Sequence, residues 1–437
     1  MTLPNNKASL KKLFALQGDK TLWAIFFIFV AISLIEVYSA TSTLTFRSGD
    51  IFRPILGHAT NLLIGFVCIW IFHNIPCGLF KLWIPAWVVF LFFLGFLLIF
   101  GTKVNDGARW IDIFGIHFQP SEFAKGGLVV IVAFLLSAYQ TKKGADRHAF
   151  KYIVIATGIT CFLILLENFS TAFILFLVVL LMMYFGRVPL KQIGKLLGAL
   201  AIVGAVCIIA AKALTAETIV EKVPALHRLT NFTARIDRFL GTDEEASAAS
   251  DSTKQLGRKD FDIQKEPQVG HARIAIAKSH IIGCGPGNSR ERDFLPQAYS
   301  DFIFAIIIEE LGLLGGAAIV LLYIILLFRA SRIAVRCERN FPAFVILGLA
   351  MLIVVQAAVN MSVAVGLIPV TGQPLPLISR GGSSIMVTSI YLGMMISISR
   401  FAKKRDKTPK KQAETEEEAE EMPVVNEAAF QSAEGMI

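Results

Sequence analysis

Apolar residues run along this chain in long blocks parted by short polar segments. A block of about 20 residues covers ~30 Å of hydrocarbon at ~1.5 Å per residue. Lipid offers no partner for backbone N–H and C=O groups, so such blocks must be helices. Ten spans follow, at roughly residues 22–40, 55–72, 82–100, 121–139, 152–166, 170–186, 196–213, 302–328, 342–366 and 384–399. The fifth and sixth are parted only by Glu167–Phe169 and so form a helical hairpin. The pattern predicts an all-α polytopic membrane protein of ten transmembrane helices.

Lys and Arg set its orientation, because they collect in cytoplasmic loops. With the N-terminus inside, the inner segments hold Lys7, Lys11, Lys12 and Lys20, then Lys81, then Lys142, Lys143, Arg147 and Lys151. Arg187, Lys191 and Lys195 follow, then Arg329, Arg332, Arg336 and Arg339, and a run from Arg400 to Lys411. The short outer loops hold only Arg47, Arg53, Lys103, Arg109 and Arg380. Both termini are therefore expected in the cytoplasm. Residues 1–21 form an inner N-terminal tail, 22–400 the transmembrane domain and 401–437 an inner C-terminal tail that reads as solvated. A large extracytoplasmic loop, 214–301, joins the seventh and eighth helices, and its middle, Gly241–Gln268, is polar and of low complexity. Residues 101–120 and the Pro- and Gly-rich stretch 367–383 lie on the same outer side, the latter as a bent or re-entrant loop. The functional face is expected there.

Composition agrees. The chain is 55% hydrophobic and 17% charged, with mean hydropathy +0.63, whereas soluble domains carry about 25% charged residues. The net charge of +9 sits between apolar blocks, so it reports membrane topology and not a nucleic-acid-binding face. The six cysteines have neither metal-ligand nor redox spacing. The first block lacks a small-residue cleavage site and reads as a retained anchor.

Span four opens with Gln119-Pro120-Ser121-Glu122, and Lys125 follows. Glu122 and Lys125 share one helix face at a depth where an unpaired charge costs a few kcal/mol. They are either a satisfied ion pair locking helix packing or a charged pair lining a polar cavity. Span eight opens with Ser300-Asp301 and runs on to Glu309-Glu310. Asp301 can serve as helix cap, as base, or as both. A structural contact is the expected role of the buried acids. The turn Gly283-Cys284-Gly285-Pro286-Gly287-Asn288-Ser289 is either a phosphate cradle or a plain tight turn; no Gly-Lys-Ser/Thr follows, so it is not a P-loop. No cluster has zinc spacing and no nucleophile elbow occurs.

Taken together the motifs resemble the SEDS family (shape, elongation, division and sporulation). They are Gly107-Ala108-Arg109-Trp110 with Gln119 through Lys125; Leu295 through Ala305 with Glu309-Glu310-Leu311-Gly312; and Asn360-Met361 with Pro369 through Ser384. The match covers roughly residues 20–400 and is most similar to the FtsW, or division, branch, with the RodA, or elongation, branch second. Three positions depart from the family pattern: Trp110 stands where a second Arg is usual, Glu167 through Thr171 replace an Asp-Gly-Thr hairpin, and Arg380 replaces a Tyr.

The resemblance implies the SEDS fold and a processive peptidoglycan glycosyltransferase that consumes lipid II in the bacterial inner membrane, at the division site. It implies that Asp301 is the catalytic carboxylate, with Glu122 and Lys125 in the same outward cavity. It implies substrate-binding roles for Arg109, Gln119, Ser121, Gln373, Ser379, Arg380, Gly381, Gly382 and Ser383. Mg²⁺ or Mn²⁺ is the expected metal aid, with no ligands assigned, and no organic cofactor is implied. A class B penicillin-binding protein and other division proteins are the expected partners. A lipid II flippase and a non-catalytic scaffold are the competing classes. The clustering of motif residues at the outer face favours the enzyme over both.

Overall fold

The computed structural model describes residues 16–41, 52–100, 111–113, 116–142, 144–213, 267–295 and 298–402. Its helices are α1 Lys20–Ala40, α2 Phe52–Phe72, α3 Trp83–Phe100, α4 Pro120–Ala138, α5 Arg147–Leu165, α6 Phe169–Phe185, α7 Leu190–Ala213, α8 Pro267–Lys278, α9 Ile303–Val335, α10 Asn340–Ala364 and α11 Gly382–Ala402. All but α8 coincide with a predicted span. Among the described residues, eight helices are long and apolar enough to cross a membrane, and α6 is apolar but shorter. Arg109, residues 214–266 of the long loop and the tail 403–437 lie outside the described residues.

Local chemistry starts several helices. Asp19 caps α1 by accepting from the Thr21 and Leu22 N–H groups, and Asn168 caps α6 through Ser170 and Thr171. Pro120 occupies the first turn of α4, where its missing N–H costs nothing. The strands β1 Ile111–Ile113 and β2 Ile116–Phe118 form an antiparallel hairpin just before α4. The hairpin of β3 Gln140–Thr141 and β4 Gly144–Ala145 joins α4 to α5.

Helices α4 and α11 lie at the centre, with 78% and 83% of their spans buried, against 11% for the segment containing α3. Gly126 meets the Tyr391 ring there, and any Cβ at Gly126 would fall 2.4 Å from it. Tyr391 Oη donates to the Glu122 carbonyl at 2.6 Å, which fixes α11 against the first turn of α4.

Helix α9 is broken within its first third. Gly312 has φ +74° and ψ −177°, so the ladder is interrupted there. The segment 280–289 fills the break. The Cys284 and Gly285 N–H groups donate to the Glu309 and Glu310 carbonyls, and those of Leu313 and Leu314 donate to the carbonyls of His280 and Ile281. Groups that a broken helix leaves unpaired inside a membrane are thereby satisfied.

Candidate functional site

The glycine-rich turn binds the chain's own acids. Glu310 is fully buried and accepts from the Gly287 and Ser289 N–H groups and from the Ser39 hydroxyl of α1. Arg292 lies 3.6 Å from the same carboxylate. Glu309 accepts from Ser289 Oγ at 2.5 Å and from the Arg290 N–H at 3.1 Å. The turn is therefore neither a phosphate cradle nor a plain turn, since these N–H groups are occupied by carboxylates and by the carbonyls at the helix break. Glu291 braces the same loop, receiving His271 Nδ1 at 2.8 Å and Lys278 Nζ at 2.7 Å from α8. Burial alone raises its carboxyl pKa, but the bonds from Lys278 and His271 outweigh it and hold the group below the usual glutamate range.

Asp301 lies just before α9, but it is not the cap. The cap position falls on Phe302, without a side-chain bond. The Asp301 carboxylate instead accepts from Ser300 Oγ at 3.0 Å, and a Cβ placed on Gly372 would lie 3.6 Å from its Oδ2. Its backbone is tied down from α10: Asn360 Nδ2 donates to the Asp301 carbonyl at 2.8 Å and to the Gln373 carbonyl at 2.7 Å. One amide thus joins the start of α9 to the bent loop that precedes α11.

That loop is irregular and held from all sides. Gly366, Gly372 and Leu377 have positive φ. Gln373 Nε2 donates to Thr171 Oγ1 of α6 at 2.8 Å. Ser379 Oγ donates to the Ser300 carbonyl at 2.6 Å and accepts the Leu375 N–H at 2.7 Å. Arg380 donates its N–H to the Tyr299 carbonyl at 2.9 Å, and its guanidinium lies over the Tyr299 ring at 5.2 Å. Gly382 sits against the Asn61 side chain, and Gly381 accepts from the Ile385 N–H. Ser383 is buried, and its hydroxyl has no hydrogen-bond partner among the described residues.

Glu122 and Lys125 form a closed pair. Lys125 Nζ sits 2.8 Å from Glu122 Oε1 and 3.2 Å from Gln356 Oε1, and both charged side chains are buried. Gln356 Nε2 passes the connection on to the Pro374 carbonyl at 3.2 Å. Pair and loop are therefore joined through α10, and the satisfied ion pair is the arrangement found. Ser121 is buried beside the pair, and Gln119 occupies the cap position of α4 without a side-chain cap bond.

The family model described as a cell cycle protein, covering FtsW, RodA and SpoVE, matches residues 19–404. The chain belongs to the FtsW/RodA/SpoVE family. It is 30% identical to the probable peptidoglycan glycosyltransferase FtsW of Haemophilus influenzae over 87% of this chain and 90% of that protein. It is 28% identical to the stage V sporulation protein E of Bacillus subtilis over 88% and 98% of the two chains. Its fold matches a chain of a peptidoglycan synthase complex that coordinates polymerization and crosslinking, with TM-score 0.66 and 22% identity, covering 90% of this chain and 100% of that one. It also matches the rod shape determining protein RodA of Thermus thermophilus, with TM-score 0.56 and 22% identity, covering 88% and 97%.

Of the residues expected from the FtsW/RodA/SpoVE motifs, the structure gathers Asp301, Gln373, Ser379 and Arg380 around the start of α9. Glu122 and Lys125 reach that group through Gln356. The reading from sequence assigned no role to Gln356 or Asn360. The sign was there: two amides four residues apart put both on one face of an otherwise apolar helix.

Proposed function

We propose that this chain polymerises lipid II into glycan strands at the outer face of the cytoplasmic membrane, as a division-type glycosyltransferase of its family. Asp301 carries the reading: its carboxylate is relieved of capping, and its backbone is bolted to the substrate-facing loop by Asn360. An acid held this way, at the polar end of a membrane bundle, is suited to take a proton.

The reaction needs one such group. The 4-hydroxyl of an N-acetylglucosamine attacks the anomeric carbon of the growing chain, and the undecaprenyl diphosphate leaves. An α-linked donor yields a β-linked product, so the displacement inverts. Asp301 accepts the hydroxyl proton as the C–O bond forms. The diphosphate departs as an anion and needs no carboxylic acid to protonate it, unlike the paired carboxyls of inverting hydrolases. Arg380, packed on Tyr299 beside Asp301, supplies positive charge to the departing diphosphate. Lys125 is committed to Glu122 and Gln356, so its role is to pair with the Glu122 carboxylate and to position α10.

Among the described residues no three His, Cys, Asp or Glu side chains gather as a metal cage. Mg²⁺ is commonly held by one or two carboxylates together with substrate phosphates, and Asp301 fits that mode. Mg²⁺ or Mn²⁺ bound there would neutralise diphosphate charge.

An apolar groove between α5, α6 and α7 supports a seat for the lipid tail there. A cavity of about 320 Å³, lined by Phe162, Phe169, Phe173, Phe176, Met183 and Leu200, is almost wholly apolar. Its upper edge at Phe169 is two residues from Thr171, the acceptor of Gln373. A class B penicillin-binding protein is the proposed partner and the division site the proposed location.

The test is polymerisation of purified lipid II by the solubilised protein, with and without that partner. Wild type is expected to give glycan ladders, and Asp301→Asn none while still inserting and folding. Ladders of normal yield from Asp301→Asn would remove the base from the mechanism. Absence of ladders from wild type with partner and metal present would transfer the assignment to a flippase or scaffold.

A further inference from the structure

The bent loop carries a side chain on backbone that suits glycine better. Leu377 has φ +66°, and a left-handed residue of this kind persists only where its surroundings over-determine it. Alternate carbonyls through this stretch are each claimed by a side chain from a different helix. Gln356 Nε2 of α10 donates to Pro374 at 3.2 Å, Tyr323 Oη of α9 to Pro376 at 2.6 Å, and Ser33 Oγ of α1 to Ile378 at 2.7 Å. The last two bracket Leu377. Ser33, Tyr323, Leu377 and Ile378 are all buried. Arg380 stands two residues beyond Ile378.

Ser33 is itself held from behind. His58 Nε2 of α2 lies 2.9 Å from its hydroxyl oxygen, and the ring is buried. A carbonyl oxygen only accepts, so the Ser33 proton goes to Ile378. Nε2 must then carry the proton shared with Ser33, which fixes the tautomer and leaves Nδ1 bare. Nδ1 has no hydrogen-bond partner among the described residues, so the contact that orients this ring is the one to Ser33. His58 is near enough to Arg380 for the two to interact electrostatically. One turn along α2, the Asn61 side chain meets Gly382. Helix α2 thus reaches the loop before Arg380, through Ser33, and after it, through Asn61.

We propose that His58 and Ser33 are positioning residues for glycosyl transfer. With Nε2–H fixed on Ser33, they hold the Ile378 carbonyl, keep the turn at Leu377 and so aim the Arg380 guanidinium at the departing diphosphate. The inference rests on the polymerase reading given above. Both residues act through the loop and not on the substrate. They set the geometry of a charge that acts in the transition state, so their effect falls on kcat more than on KM.

The test compares His58→Gln, His58→Asn and His58→Leu on the solubilised full chain, by lipid II polymerisation and by hydrogen exchange over 375–380. A Gln amide places its N–H where Nε2 lies, whereas an Asn amide reaches only as far as Nδ1. His58→Leu and His58→Asn are expected to lower kcat roughly tenfold to a hundredfold, with KM little changed, and to speed exchange over 375–380. His58→Gln is expected to recover most of both. Ser33→Ala is expected to match His58→Leu, and adding His58→Gln to it should restore nothing. Ser33→Ala removes a single oxygen, so it carries the test if His58→Leu does not fold. Equal loss from all three His58 variants overturns the proposal and makes His58 a packing residue. Wild-type rates in all three overturn it too, as does unchanged exchange over 375–380 in Ser33→Ala. If wild type itself forms no glycan, the polymerase reading falls, and the exchange pattern still decides whether Ser33 and His58 hold the loop.

Discussion

Asn360 uses both amide hydrogens on backbone carbonyls, one at Asp301 and one at Gln373. Asn360→Leu keeps the approximate volume and removes both donors. Each carbonyl left unpaired in a buried setting costs about 1–3 kcal/mol, and the loop bearing Gln373 can shift away from Asp301. The expected outcome is a fall in kcat for lipid II polymerisation with KM little changed, because the base is misplaced while lipid contacts persist. Asn360→Gln, which keeps the donors on a longer arm, should recover part of the rate. Steady-state kinetics on the two variants check this; equal loss from both, accompanied by unfolding, would make Asn360 a packing residue only. The sequence alone left Asp301 open between cap and base, because Asp is common at a helix start, and its base role came from the family resemblance. Asn360 was half legible: with Gln356 it marks a polar seam on an apolar helix, but its partners lie 13 and 59 residues away in sequence.

At the scale of elements, the break in α9 and the turn that fills it act as one unit. A Cβ on Gly312 would lie 2.3 Å from the Ile281 carbonyl oxygen, and one on Gly283 would lie 2.3 Å from that of Glu310. Both positions also need positive φ, which costs a residue with a side chain roughly 1–2 kcal/mol before any clash. Gly312→Ala is expected to lower the thermal midpoint in detergent by several degrees and to expose 280–289 to hydrogen exchange. Gly95→Ala in α3, where an added Cβ meets nothing within 4 Å, should cost less.

The same loop carries a pH dependence through Glu291. Its folded pKa lies below the ordinary value of 4.5, so its bonds to His271 and Lys278 stabilise the folded loop above that value. This contribution is lost as pH falls through the folded pKa. Hydrogen exchange over 267–293 should therefore stay slow from neutral pH down to about 4.5 and rise below it. Glu291→Gln should exchange faster already at neutral pH and lose the transition. The apolar helices were legible because hydrophobic runs register directly in sequence, and eight of the described ones are long and apolar enough to cross a membrane. The break was not, because Leu311-Gly312-Leu313-Leu314-Gly315-Gly316 reads as small-residue packing, and the strand of chain that completes it is about 30 residues upstream.

For the whole molecule, the two ends of the bundle are built differently. The end that carries Asp301 is held by backbone-directed amides and hydroxyls. The opposite end is a clasp of charge, in which Asp19 ties α1 to Arg329 of α9 and its N–H meets Ser399 of α11. Burial alone raises the Asp19 pKa, but the bonds from Arg329 and from the Leu22 and Thr21 N–H groups outweigh it and leave the carboxyl below its usual 3.8. The clasp is therefore intact above that value and weakens only as pH falls further. Asp19→Asn isolates its charge, because Asn caps a helix about as well as Asp. With the cap kept, the variant loses the ion pair to Arg329. The thermal midpoint in neutral detergent should fall. Polymerisation measured at the far end should remain close to wild type at temperatures below the lowered midpoint. An unchanged midpoint would mean that the Asp19–Arg329 pair adds nothing measurable, and that the helix cap and the bond from the Asp19 N–H to Ser399 hold this end.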